Sequence, residues 1–156
     1  MTARTSIRVL DASDIGALRA MLGLFAGSFD DRERYVGRQP DDEYLQRLLP
    51  SDTFIAIAAL SGSSAIGGLA GYVLPKFEQA RSEFYIYDLA VDVQQRRKGV
   101  ATALIETLRA AAAGRGIYVI FVQADHEDDA AVALYTKLGT RADVMHFDIA
   151  PVSSAP

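Results

Sequence analysis

Two adjacent stretches decide the fold: Phe84-Tyr85-Ile86-Tyr87-Asp88-Leu89-Ala90-Val91 and the basic turn Arg96-Arg97-Lys98-Gly99-Val100-Ala101. The first is aromatic and β-branched, which predicts a strand. Val100, Leu104, Leu108 and Ala111 then recur at helical spacing, and Gly114 and Gly116 end that helix. Tyr118 to Val122 is apolar again and predicts a second strand. Strand, helix, strand in this order predicts a parallel pair joined by a right-handed crossover. Three cations and a glycine stand where the helix opens. A helix start presents unpaired N–H groups and a positive dipole end, and glycine lets a phosphate approach the backbone, so this turn is a candidate anion site. It is neither a Walker A loop, having no Gly-Lys-Ser/Thr, nor a G-x-G-x-x-G fingerprint. A bare R-x-x-G-x-A string is most often a solvated turn. Its position between strand and helix gives it weight.

Working outward, Ile7 to Leu10 predicts an opening strand, and Ser13 an N-cap for a helix carrying Ile15, Leu18, Met21, Leu22 and Phe25. Gly27 to Pro40 is polar and reads as a loop that could border a site. Asp41 and Asp42 start a short helix with Leu45, Leu48 and Leu49, closed by Pro50. Thr53 to Leu60 predicts a buried strand, and Ser61-Gly62-Ser63-Ser64 turns it back into Ala65 to Leu74. Gly67, Gly68 and Gly71 in that second strand suggest bulges or close approaches. Past Val122, Ala131, Leu134 and Leu138 share a helix face stopped at Gly139, and Val144 to Ile149 predicts a last strand. The expected class is α+β: a mixed, mostly antiparallel twisted sheet flanked by helices. A single domain is expected over residues 1–150, with a flexible tail over 151–156.

The length of 156 residues suits one domain, and a hydrophobic content of 50% can fill its core. A net charge of −4 gives no reason to expect a nucleic-acid backbone as partner. The absence of cysteine excludes disulfides, thiolate metal sites and a Cys nucleophile, and fits a reducing compartment. Met1 to Leu10 lacks the continuous apolar core of a signal peptide. The densest apolar run, Phe54 to Leu60, falls far short of the roughly 20 residues that cross a bilayer. A soluble, cytoplasmic protein without a metal is expected. His126 and His146, without Cys, do not make a zinc site.

Asp88 is the only charge within its strand. Burial raises a carboxylate's pKa toward that of a useful general base; the plainer reading is a structural carboxylate paired with a basic neighbour. Glu83, at the strand entrance, is the alternative base. Asp125, His126, Glu127, Asp128 and Asp129 precede the last helix. They read either as cap and dipole partners or as a trap for a polycation, which Asp148, Asp30 and Asp31 could extend. By composition alone Tyr135 is a helix aromatic with a wet tip, and Tyr85, Tyr87 and Tyr118 pack the sheet.

The strand Phe84 to Val91 followed by Arg96-x-x-Gly99-x-Ala101 resembles the acetyl-CoA-binding core of the GCN5-related N-acetyltransferase superfamily, whose signature is Q/R-x-x-G-x-G/A. Ala130 to Gly139 is similar to its second segment, where a Tyr precedes the helix-ending Gly. Longer phrases, Tyr72 to Glu83, Tyr87 to Val91 and Val144 to Ile149, resemble the aminoglycoside 3-N-acetyltransferases of the gentamicin-resistance type. The resemblance implies that acetyl-CoA's pantetheine arm pairs with the backbone of Leu89, Ala90 and Val91. It implies too that the cofactor turn comprises Arg96, Arg97, Lys98, Gly99, Val100, Ala101 and Thr102, with Tyr135 beside the sulfur as acid. Asp88, or else Glu83, would be the base, and Asp125, Asp128, Asp129 and Asp148 would meet a polycationic acceptor, reacting at its 3-amino group. Without a cysteine for an acetyl-enzyme, attack would be direct, in a ternary complex. Relatives are often homodimers. Many carry two strands after the Tyr helix where one is expected here, leaving a rear wall open or completed by another subunit. The alternatives are a polyamine or peptide-amine acceptor, or a non-catalytic CoA-binding module.

Overall fold

Hairpin and crossover meet in one five-stranded sheet of order β1-β2-β3-β4-β5, with β1 Thr5–Val9, β2 Phe54–Ser61, β3 Ser64–Pro75, β4 Ser82–Val91 and β5 Ile117–Val122. The first four strands pair antiparallel and β5 runs parallel to β4. This computed structural model describes residues 4–153. The chain divides into two compact units, Met1–Gln123 and Ala124–Pro156.

In the first unit α1 (Ile15–Ser28) and α2 (Asp42–Leu48) cover one sheet face, packing Leu18, Met21, Phe25 and Leu45 against Phe54, Ala56, Ala58 and Leu60. The opposite face receives α3 (Val100–Ala113), which buries Leu104, Leu108 and Ala112. Adjacent strand residues point to opposite faces. A Cβ on Gly67 would meet Val100 and Leu104, and one on Gly68 would meet Met21 and Phe25. Covered on both sides, β2 reads as an unbroken apolar run.

The pairing of β3 with β4 slips once: Ala70 faces Asp88 and Gly71 faces Ile86, leaving Tyr87 unmatched. Such a bulge puts two successive residues on one face. Phe84 and Ile86 are buried on the α3 side, whereas Asp88 and Ala90 turn toward α1, where Ala90 joins its core. Gly71 permits the slip, because a Cβ there would lie 2.1 Å from the Tyr85 carbonyl oxygen and 2.7 Å from the Phe84 ring. Gly71→Ala is therefore expected to destabilise the fold by about 1–3 kcal/mol. For a chain of this size that lowers Tm by roughly 2–12 °C. An unchanged melting curve would show that the backbone yields freely at this point.

Three expectations need correction. The cap residue of α1 is Asp14, not Ser13: Asp14 is buried, pairs with Arg8 at 2.6 Å and accepts the Asp11 N–H, while the Ser13 hydroxyl is bound to Asp11. Gly27 to Pro40 is not a plain loop. Helix α1 runs to Ser28, and a π-type turn over Glu33–Gly37 buries Tyr35 between the rings of Phe25 and Phe29. Nor does Val144 to Ile149 form a strand. Taken by itself, the second unit holds α4 (Asp129–Leu138), and residues 140–153 have neither helix nor strand. Alternation alone does not make a strand; a ladder partner is needed, and among the described residues this segment has none. Of the expected tail, 151–153 are irregular and 154–156 lie outside the described residues. Among the described residues no helix is long and apolar enough to cross a membrane.

Candidate active site

The bulge brings Asp88 under the π-type turn, where the Tyr35 hydroxyl donates to its Oδ1 at 2.9 Å. Burial raises the Asp88 pKa above the usual carboxylate range; the Tyr35 hydrogen bond and the Arg34 charge pull it partly back. Tyr35, in turn, is held far above its ordinary value, chiefly by burial and then by Asp88, so it stays a neutral donor. Tyr35→Phe keeps the ring in place and removes only the donor. An NMR titration of the Asp88 carboxyl should then show its midpoint moving upward, and a midpoint that stays put would show that the hydrogen bond carries no weight.

On the same face as Asp88 lie Tyr72 of β3, Tyr85 and Tyr87 of β4, and Phe121 of β5, their rings in contact. The sequence suggested sheet packing for Tyr85 and Tyr87, yet Tyr87 is 55% exposed. The alternative base, Glu83, is already engaged: it accepts from the Tyr118 hydroxyl at 2.7 Å and lies 3.7 Å from Lys76 Nζ. Asp31 is likewise tied to Arg34, at 3.6 Å.

β5 pairs with β4 only as far as Ile86↔Val122. From Asp88 to Val91, β4 is paired with β3 on one side, and β5 leaves its other edge open. Leu89, Ala90 and Val91 thus offer backbone groups to an extended ligand, which could add as a strand. The edge leads to a 3₁₀ turn, Val93–Gln95, in which Asp92 accepts the Gln94 N–H, and then into the basic turn. Arg96 Nε returns to the Val91 carbonyl at 3.3 Å. Arg97 and Gly99 both have positive φ, 64° and 80°. Helix α3 starts without a side-chain cap and without an acid in its first turn. The N–H groups of Val100, Ala101 and Thr102 therefore lack intrahelical acceptors, and nothing lies within 4 Å of where a Gly99 Cβ would stand. Arg97 and Lys98 are exposed beside them. This donor set fits a polyanion attached to an extended amide-bearing arm, which is the shape of coenzyme A.

In the second unit the Asp128 side chain caps α4, accepting the Ala131 N–H at 3.1 Å. Asp125 and Asp129 are exposed. Asp148, also exposed, pairs with His146 at 2.8 Å. Tyr135 is half-buried, and burial, with the Asp128 charge second, pushes its hydroxyl up to about 12.

Sequence reasoning missed Tyr35 and Tyr72. Tyr35 did carry a signal, as an aromatic within an otherwise charged stretch; Tyr72 carried none, because its place on the Asp88 face depends on register.

A family model described as "Acetyltransferase (GNAT) family" matches residues 21–140. The chain is similar to an aminoglycoside acetyltransferase from an uncultured soil metagenomic sample, at 53% identity and a TM-score of 0.91, over 96% of this chain and 99% of the other. It is also similar to a second aminoglycoside acetyltransferase from such a sample, solved in complex with sisomicin. There the identity is 31% and the TM-score 0.85, over 94% of this chain and 96% of the other. No curated protein matches the chain.

Proposed function

We propose, from the premise that the chain belongs to the acetyltransferase (GNAT) family, that it acetylates the 3-amino group of a 2-deoxystreptamine aminoglycoside by direct attack in a ternary complex, conferring antibiotic resistance. Asp88 carries the reading: a carboxylate of raised pKa, aimed by a bulge and a tyrosine, beside an open strand edge. The aminoglycoside acceptor is supported by the 53% identical relative and by the relative bound to sisomicin. The 3-amino position rests on the phrases around Tyr72 to Glu83 and Val144 to Ile149, and a homodimer on the same resemblance. The reading takes residues 1–150 as one catalytic domain.

Acetyl-CoA, as cosubstrate, supplies an acetyl thioester whose carbon the acceptor amine attacks as the C–S bond breaks. Leu89, Ala90 and Val91 hold its arm, and the residues Arg96 to Thr102 hold its pyrophosphate. Asp88 takes the proton that the amine must lose. Tyr135, protonated at neutral pH because its pKa stands near 12, gives the departing sulfur a hydrogen bond. Full proton transfer to a thiolate of ordinary pKa, about 8.5, would be uphill.

Asp125, Asp128, Asp129 and Asp148 hold the acceptor's other ammonium groups. At about 4 Å and an effective dielectric of 20 each such pair is worth roughly 4 kcal/mol before desolvation, and salt screens it. Replacing Asp125, Asp128 and Asp129 by Asn keeps the α4 cap, because Asn caps as well as Asp. Drug KM should rise by about tenfold or more, equivalent to about 1.4 kcal/mol, with CoA binding intact. Unchanged drug kinetics would return the acidic run to helix capping.

The deciding experiment is acetylation of a panel of aminoglycosides, polyamines and peptide amines, read by CoA release, with product mapping by NMR. Turnover confined to polyamines or peptides would replace the acceptor. CoA binding without turnover of any amine would make the chain a binding module.

A further inference from the structure

We propose that Tyr72, Tyr85 and Tyr87 form a stacking shelf that takes the ring face of a cyclic, amino-substituted acceptor and separates it from acyclic amines. The inference rests on the reading of Asp88 as the group that meets the reacting amine. It adds a determinant that neither the acidic run nor the cofactor turn supplies.

An unbroken row of rings crosses four strands on the Asp88 face: Phe54, Tyr72, Tyr87, Tyr85 and Phe121, with neighbouring centroids 5.7, 5.7, 5.6 and 4.7 Å apart. Only Phe54 is buried; Tyr72 is 42% and Tyr87 55% exposed. Rings that served only the core would be covered, and scattered exposed aromatics would not touch one another. Alternation already puts Tyr87 on the Tyr85 face, and the bulge turns Asp88 to that same face, so one irregularity brings the carboxylate beside the row of rings. The Tyr85 hydroxyl is anchored on Gln123 at 2.9 Å, which fixes its ring. Among the described residues the hydroxyls of Tyr72 and Tyr87 have no protein partner. Tyr118, outside the row, already holds a cation of the chain itself, with Arg81 3.7 Å above its ring; among the described residues the shelf rings hold none.

Charge complementarity selects the occupant. Aromatic faces carry negative potential and attract cations, and Asp88 adds a carboxylate at the same place, so an anion is excluded. An amino-substituted saturated ring presents C–H bonds on its face, polarised by neighbouring ammonium and oxygen groups. It also carries its ammonium groups at the rim, within reach of a carboxylate beside the shelf. Such a ring arrives preorganised. A linear polyamine must freeze several bonds to offer the same contact, and loses affinity for doing so.

The test compares wild type with Tyr72→Leu/Tyr87→Leu, which keeps apolar bulk but removes the rings, and with Tyr72→Phe/Tyr87→Phe, which keeps them. Tyr87→Leu alone serves if the double Leu variant fails to fold. Calorimetry with gentamicin and with spermidine gives Kd, CoA release gives KM, and sedimentation gives the oligomeric state. Gentamicin is expected to bind wild type more tightly than spermidine does. The Leu variant should lose about tenfold or more in gentamicin Kd and keep its spermidine and acetyl-CoA values within about twofold, while the Phe variant behaves as wild type. Equal wild-type affinity for the two amines, equal losses for both, or an unchanged gentamicin Kd in a folded Leu variant would overturn the shelf. So would a change in oligomeric state without a change in Kd, which assigns the rings to a second copy of the chain. Gentamicin bound through the shelf but never acetylated would sink the proposed function and leave the shelf standing. Gentamicin turnover indifferent to the Leu changes would do the reverse.

Discussion

Asp88→Asn is expected to lower kcat/KM by about 10²- to 10⁴-fold, the range that a positioned general base supplies, with acetyl-CoA affinity close to wild type. Asparagine matches aspartate in shape, and its amide oxygen can still accept from Tyr35, so the packing around the bulge survives. What disappears is the ability to take a proton. The sign of the pH effect follows from the direction of the shift. Burial raises the Asp88 pKa, and only the ionised form acts as a base, so wild-type kcat/KM falls as pH drops through that raised value. Asn at position 88 erases this acidic limb, whereas Tyr35→Phe moves it to higher pH. If Asp88→Asn keeps wild-type rates across pH while Glu83→Gln does not, the base is Glu83. The present geometry argues otherwise, because Glu83 is held by Tyr118 and Lys76.

What the sequence could show was whatever depends on near neighbours along the chain. β4, α3 and the turn between them were legible because aromatic content, helical spacing and a glycine are local signals; the α3 helix ends at Ala113, as Gly114 implied. The bulge was legible only in part: the glycines of β3 suggested bulges or close approaches, and one occurs at Gly71, but the register of β4 against β3 and the approach to Tyr85 are encoded in no single strand. Asp88 was therefore recognised as unusual without its neighbours being known. Tyr35 was hidden for a related reason: five residues rich in charge, Glu33–Gly37, make a π-type turn only because α1 supplies Phe25 and Phe29 for the tyrosine to pack on. The error at Val144 to Ile149 is the converse case, an alternating pattern for which the described residues provide no partner strand.

Gly99→Asp is expected to weaken acetyl-CoA binding by about 10²-fold or more, equivalent to about 2.7 kcal/mol, without unfolding the chain. The residue has φ of 80°, which costs a non-glycine residue about 1–2 kcal/mol, although Asp tolerates it better than most. Nothing within 4 Å obstructs a Cβ there, and a carboxylate at the head of α3 gains about 0.3–1 kcal/mol from the helix dipole. The two terms largely offset, so Tm should move little. Against a phosphate the balance is different. At about 4 Å and an effective dielectric of 20, two like charges repel by roughly 4 kcal/mol, and the new carboxylate also competes for the free N–H groups of Val100, Ala101 and Thr102. Gly99→Asn separates the causes, since it brings the same strain and bulk without the charge. If the turn holds pyrophosphate, Asn should cost much less affinity than Asp, and added salt should narrow the gap between them. Calorimetry that finds both variants folded and binding CoA as wild type does would remove the anion from this turn. The extended ligand along Leu89 to Val91 would then have to be anchored by that strand edge alone.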